Sequence, residues 1–278
     1  MTAQLEFTIL GCGSSGGVPR ADGNFGACDP ADPRNRRTRC SLLVRRLEGP
    51  GTATTPPTTV IVDTSPEFRQ QTAAAGVTRL DGLLLTHDHA DQTHGIDDIR
   101  AFAMVQRQRI PCWMDDATAA TMSRRFGYIF EGEGLYPAIA DMHAAPPFFV
   151  PFSVGGPSGE IPFVTFDQDH GPGVRSLGYR FGNVAYSSDV VDIPDASFAA
   201  LEDLDVWIVD ALRYTPHPTH AHLAKTLSWV ERVKPRRTIL TNLHIDLDFK
   251  ALTAVLPAGV EPAYDGLRFA VELSDAVS

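Results

Sequence analysis

Two histidines and an aspartate stand at alternate positions in Thr86-His87-Asp88-His89-Ala90-Asp91. They follow residues 80–86, a short apolar run that reads as a buried strand ending at a polar cluster. In extended backbone, residues i and i+2 point the same way, so the two imidazoles project together and Asp91 follows at the same interval. Imidazole nitrogen with carboxylate oxygen suits zinc, manganese or iron. A second chemistry-bearing stretch, residues 210–222, opens on Asp210 and holds Arg213, His217, His220 and His222. Arg213 could grip phosphate oxygens through its two-pronged guanidinium, or it could pair with Asp210 or another acid. A third stretch, Gly11-Cys12-Gly13-Ser14-Ser15-Gly16-Gly17, could cradle a phosphate around Ser14 through backbone N–H groups. It lacks the G-x-x-x-x-G-K-[ST] arrangement and is no P-loop; a tight turn between strands is the simpler account.

Strands and helices must carry these residues. Residues 7–10, 41–44, 59–62, 162–166, 176–181, 184–187, 204–210 and 237–242 read as strands from their apolar, β-branched character. Residues 65–75 read as a helix, with Ser65 as N-cap, Pro66 at the first helical position and Glu67 in the first turn. Residues 95–104, 117–128, 222–233 and 249–256 read as further helices. Residues 48–58 form a Gly-, Pro- and Thr-rich hairpin loop, and 137–161, which contains His143, reads as irregular surface or a lid. No linker or internal repeat interrupts the chain, so one domain over 1–278 is expected.

Composition narrows the partners. The chain has 278 residues, 43% of them hydrophobic and 21% charged, with a net charge of −10. Long nucleic acid is therefore disfavoured, since its binders carry a basic footprint. A small phosphorylated substrate stays open, because a metal and a few local arginines can override net charge. The one basic run, Arg34, Arg36, Arg37 and Arg39, could attract an anion; pairing with the chain's many acids is the plainer reading. The four cysteines, Cys12, Cys28, Cys40 and Cys112, form no CxxC pair. The start has no signal-peptide pattern, and no stretch of about 18 apolar residues could span a membrane. A cytoplasmic protein with reduced thiols and no membrane partner is expected, with a homodimer as the commonest oligomer.

The decapeptide Thr86-His87-Asp88-His89-Ala90-Asp91-Gln92-Thr93-His94-Gly95 resembles the metallo-β-lactamase superfamily signature, His-x-His-x-Asp-His followed by Gly. Other landmarks come in that family's order. Asp169-His170-Gly171 is similar to its third-histidine motif, and Tyr186-Ser187-Ser188-Asp189 to the strand bearing its metal-bridging aspartate. Leu240-Thr241-Asn242 falls where the family has Leu-Thr-His. The opening, Leu10 through Val18-Pro19, resembles the branch of phosphonate-pathway cyclic phosphodiesterases. The resemblance runs over residues 7–269.

What it implies is an α/β fold, a four-layer αββα sandwich with the site at one edge, and a divalent-metal-dependent hydrolase. One or two ions, zinc or manganese, are expected. By resemblance His87, His89 and His170 hold the first metal, Asp189 bridges, and Asp91 belongs to the second metal and to catalysis. A metal-activated hydroxide would attack a small cyclic or nucleotide-like phosphodiester. His220 resembles the histidine near the leaving group and is the candidate general acid. Ser14, Arg213 and His220 are the candidate substrate contacts. Some relatives hold a structural zinc on a cysteine cluster, but only Cys28 and Cys40 are at hand here, so none is expected.

Two departures stand out. The family's histidine after the aspartate is Gln92, and its last histidine is Asn242. The second position could take a harder ion such as manganese, recruit His94 and His244, or stay weak or empty. Alternative functions are an RNA-processing nuclease resembling transfer-RNA 3′ endonucleases, a metal- and nucleotide-binding module with weak catalysis, and a lactamase or thiolester hydrolase, since a shared fold does not decide chemistry.

Overall fold

Alternating apolar side chains build two sheets that share one core and carry a second apolar face each. A computed structural model describes residues 3–48 and 55–273. The first sheet takes β1 (Gln4–Gly11), β2 (Ser41–Leu47), β3 (Thr58–Val62), β4 (Gly82–Leu84), β5 (Ile110–Met114) and β6 (Ala140–Ala144). The second takes β7 (Phe152–Val154), β8 (Ile161–Asp169), β9 (Arg175–Phe181), β10 (Val184–Ser187), β11 (Val206–Asp210), β12 (Arg237–Thr241) and β13 (Val260–Pro262). The last strand, β14 (Arg268–Glu272), returns to the first sheet and pairs antiparallel with β1. The spatial orders are β14-β1-β2-β3-β4-β5-β6 and β13-β12-β11-β10-β9-β8-β7.

Each strand divides its side chains between two layers, as the pleat requires. Phe7, Leu42, Val60 and Leu84 of the first sheet meet Phe163, Tyr179, Val206 and Ile239 of the second in the shared core. The residues between them, Leu43, Ile61 and Leu83, face outward and pack against α1 (Phe68–Ala74), α3 (Arg100–Gln106) and α4 (Asp116–Glu131). On the far side Trp207, Val209 and Leu240 pack under α5 (Leu223–Val233) and α6 (Phe249–Val255). Helices outside two stacked sheets make the αββα sandwich anticipated above. The four-residue α2 (Ala90–Thr93) belongs to the site instead.

The topology gathers the polar strand ends. Pairing is parallel from β3 through β6 and from β10 through β13. β9 runs antiparallel to both β8 and β10, so β8, β10, β11 and β12 all finish at one end. Two hydrogen bonds tie the sheets together beneath the His87 loop: Tyr179 Oη donates to Leu85 O at 2.7 Å, and Leu177 N to Thr86 O at 2.9 Å.

Several elements differ from expectation. The first helix begins at Phe68, not near Pro66, because the Ser65 hydroxyl accepts from Glu67 N at 3.2 Å and holds a turn that competes with the helix. The stretch 95–104 is a 3₁₀ turn, Ile96–Ile99, followed by α3. The supposed lid, 137–161, supplies β6 and β7; strand partners, more than local propensity, decide such segments. His143 lies on β6 and stacks on Trp113 with ring centroids 5.3 Å apart. The hairpin joining β2 and β3 is present, while 49–54 of its loop lie outside the described residues. β5, β13 and β14 were not anticipated. Among the described residues no helix is long and apolar enough to cross a membrane.

Gly95 shows how tightly the site loop is seated. A Cβ there would stand 2.0 Å from Ser65 O and 2.6 Å from Phe68 Cβ. Gly95→Ala is expected to destabilise the fold by about 3 kcal/mol, at the upper end of overpacking costs, and to lower Tm by roughly 6–12 °C. Thermal unfolding followed by circular dichroism tests this; a shift under about 2 °C would mean the loop adapts freely.

Candidate metal centre

His87, in the loop after β4, is 1% exposed and has two differently used ring nitrogens. Its Nδ1 lies 3.0 Å from Thr86 Oγ1, whose own proton goes to Asp63 at 2.9 Å. The imidazole must therefore donate from Nδ1, which leaves Nε2 as a bare lone pair. That Nε2 is buried and has no hydrogen-bond partner. His170, just beyond β8, repeats the arrangement: its Nδ1 donates to Thr219 O at 2.8 Å, and its Nε2 lies 3.1 Å from His89 Nδ1. The three rings lie 4.5–4.9 Å apart between centroids.

The orphaned buried His87 Nε2 is costly without a cation to meet it, and the facing His170 and His89 nitrogens either share a proton or share an ion. Two nitrogens on one tetrahedral zinc, each bonded at 2.0–2.1 Å, stand about 3.3 Å apart. The donor set therefore fits a divalent ion. The electrostatics agree. Burial, with neighbouring imidazoles adding to it, holds His87 well below the usual histidine range and His170 at about 3. Both are thus neutral, the form that binds metal.

Asp189 follows β10 with φ of 52°, a left-handed conformation that aspartate tolerates better than most residues. Burial raises its carboxyl above the usual range, His220 opposes this, and Asp91 and Asp210 add to it. Its Oδ1 lies 4.0 Å from both His170 Nε2 and His220 Nδ1. Its Oδ2 accepts from Gln92 Nε2 at 2.9 Å. Candidate ligand atoms thus form two overlapping groups among the described residues, His87–His89–His170 and His170–Asp189–His220.

His220 is tuned in the direction opposite to His87 and His170. Its Nδ1 lies 2.8 Å from Oδ2 of Asp210, the fully buried last residue of β11, and 3.0 Å from Asn242 Nδ2. Burial opposes charge on this imidazole, but Asp210 outweighs it and Asp189 and Asp91 assist, which pushes His220 up to about 9. Backbone bonds fix the segment: Ala221 N donates to Val190 O and Leu212 N to Ala221 O. The His220 and His170 rings are 4.7 Å apart, so an imidazolium sits beside the three-histidine cluster.

The other sequence candidates fall elsewhere. Asp91, in α2, is half-buried and joins neither ligand group. His94 is exposed, with its ring edge-on to Phe126 at 5.6 Å. His244 is taken by Arg20 Nη2 at 2.5 Å and Asp246 Oδ2 at 3.0 Å. Recruitment of these two histidines to a second metal is therefore not what the fold builds. Among the described residues Arg213 pairs with no acid; it donates to Thr215 O and Pro216 O, holding its own turn. The Gly-rich turn is largely engaged internally: Cys12 N donates to Asp265, Gly13 N to Thr38 O, Ser14 N to Leu243 O and Gly17 N to Ser14 O. Ser14 is 4% exposed. The turn thus joins the β1 end to the loop after β12, and its phosphate cradle is not preformed. In the basic run, Arg34 pairs with Asp32, Arg39 with Glu67, and buried Arg37 donates to Leu247 O.

Three residues escaped the sequence reading: Asp63, Thr86 and Thr219, which orient His87 and His170. Asp210 was noticed only as a possible partner for Arg213. Asp63 and Asp210 share a legible sign, an acid closing an apolar strand. Thr86→Val is expected to weaken zinc binding by about 10–100-fold, the usual effect of removing a group that orients a ligand. Chelator competition measures this; unchanged affinity would remove the orienting role.

The Beta-lactamase superfamily domain matches residues 58–245, which is most of the chain and the whole histidine cluster. The chain belongs to the metallo-β-lactamase superfamily. Within the superfamily, a diphosphatase of the PhnP family is 33% identical in sequence, with a TM-score of 0.85; the match covers 98% of this chain and 99% of that one. That places this chain in the PhnP branch. Zinc-bound PqqB from Methylobacterium extorquens shares the fold at 15% identity, with a TM-score of 0.71 over 95% of this chain and 99% of its own. An octanoyltransferase of Porphyromonas gingivalis is 27% identical over 96% of this chain. The chain spans about half, 52%, of that curated relative's length.

Proposed function

We propose that this metal-dependent hydrolase is a phosphohydrolase that cleaves a small phosphodiester or diphosphate and uses His220 as general acid. The observation that carries this is the Asp210–His220 pair set 4.7 Å, ring to ring, from His170. His87, His89, His170 and Asp189 would hold the ion, which when bound supplies Lewis-acid charge and an activated water. Asp210 keeps the His220 Nδ1 proton engaged, so the Nε2 proton is the one to deliver to the departing oxygen. A phosphodiester or diphosphate leaves through an oxygen that gains from protonation, whereas the thiolate of a thiolester departs without a proton. The diphosphatase named above supports the phosphoryl class.

Long nucleic acid remains disfavoured by the charge of −10. The octanoyltransferase match carries no acyl chemistry into the proposal. Cys40, beside Thr241 at the site, is fully buried, and burial pushes its thiol well up, so it offers no thiolate to carry an acyl group. The test is a panel of phosphodiesters, diphosphates, phosphomonoesters, thiolesters and lactams with zinc- and manganese-loaded protein. Phosphodiester or diphosphate turnover is expected to exceed the rest by at least about tenfold. Preference for a thiolester or lactam, or no turnover at all, would overturn the reading.

A further inference from the structure

We infer that this centre holds a single metal ion, because Gln92 and Asn242 stand at the second position as amides that bind Asp189 and the Asp210–His220 pair. The inference rests on the metal-site reading above and concerns what these two amides do. An aspartate that bridges two metals through both of its oxygens needs each of them free to coordinate. Here Gln92 Nε2 donates to Asp189 Oδ2 at 2.9 Å. A carboxylate oxygen accepts, so the amide must present its N–H, and Gln92 is held with no exposure at all. Only Oδ1 is then directed at the histidines, 4.0 Å from His170 Nε2. Asp189 thus serves as a terminal ligand, and the amide N–H supplies to Oδ2 the positive partner that a second ion would have supplied.

Asn242 does the matching work on the other flank. It follows β12 in the left-handed region, with φ of 61°. Its Nδ2 lies against His220 Nδ1 at 3.0 Å, beside the bond from that nitrogen to Asp210. Because the Nδ1 proton goes to Asp210, that nitrogen has no lone pair for the amide; the Asn242 side chain instead acts as a hydrogen-bond partner of the Asp210 carboxyl and lowers it against the effect of burial. Of the two imidazoles that stand two residues beyond Gln92 and Asn242, His94 is on Phe126, and His244 is on Arg20 and Asp246. Asp91 joins no ligand group among the described residues. The two amides thus stand on the two flanks of Asp189 and His220, whose Oδ1 and Nδ1 are 4.0 Å apart, and a change at one alone would leave the second position half-built.

The stoichiometry of the wild-type protein tests this directly. Metal-free protein would be loaded separately with excess zinc and with excess manganese, freed of loose ions by gel filtration, and assayed by elemental analysis and native mass spectrometry. Manganese is included because Gln92 Oε1 is buried without a partner among the described residues and is an oxygen a harder ion could use. The expected result is one ion per chain for both metals, with the manganese protein giving the six-line paramagnetic resonance spectrum of an isolated ion. The double variant Gln92→His/Asn242→His is expected to move toward two ions and an exchange-coupled manganese spectrum. Two tightly held ions in the wild-type protein would overturn the inference while leaving the hydrolase reading intact. No retained ion would overturn both.

Discussion

His87→Ala is expected to abolish stable metal binding and to lower phosphodiester or diphosphate turnover by about 10³-fold or more. The reason is the single use of His87 Nε2. That nitrogen is buried, faces no other partner and lies at the centre of the three-imidazole cluster. Loss of one of three imidazoles leaves two nitrogens and one carboxylate oxygen, and removes several kcal/mol of Lewis-acid assistance with the ion. The substitution also has a stability signature. Zinc raises the Tm of the wild-type protein because only the folded state holds the ion. That rise is expected to vanish in His87→Ala, while the metal-free forms differ only by the lost imidazole packing and the lost Nδ1 bond to Thr86. Differential scanning calorimetry with and without zinc, beside turnover, checks both halves. Full metal-dependent stabilisation of the variant would place the ion elsewhere.

The second large effect concerns the leaving group. His220→Ala should slow cleavage of an ester with an alkoxide leaving group by about 10²–10⁴-fold, the usual range for a general acid. The same variant should slow a p-nitrophenyl ester by less than about tenfold, since nitrophenoxide departs without a proton. The pH profile adds a second readout. Asp210 and the neighbouring acids push His220 up to about 9 against the pull of burial. Only the protonated form can donate, so rate with the alkoxide ester is retained at lower pH and falls as pH rises through the His220 pKa. A divalent ion beside His170 repels the imidazolium, so the falling limb belongs at or below about pH 9. It should disappear in His220→Ala. Equal slowing of both esters, with the limb unchanged, would take the acid role away from His220.

Local pattern and tertiary arrangement contributed differently. The strands of both sheets were mostly visible because a pleated strand between two apolar layers has to alternate or be apolar throughout, as residues 41–44, 59–62 and 204–210 are. β5, β6, β7, β13 and β14 were not, because they lie at or next to sheet margins, where pairing to a neighbour decides the conformation. The His-x-His-x-Asp spacing is local, so the paired direction of His87 and His89 follows from the chain alone. Asp189 and His170 could be named only through the family resemblance, since nothing within their own segments tells where β8 and β10 end relative to β4.

The amides show the division most clearly. The chain by itself determined that Gln92 and Asn242 stand where imidazoles are usual, and that no third feature nearby restores them in plain view. It left open three fates for the second position. Tertiary structure excluded His94 and His244 by giving each another partner, and it put Gln92 Nε2 on the oxygen that a bridge would need. The pairing of Asp210 with His220 instead of Arg213 was decided in the same way. The physical reason is range. Periodicity and turn chemistry act over a few residues and are written in local order. A hydrogen bond between residues 92 and 189 depends on where two sheets place their strand ends, and that placement exists only once the shared core has closed.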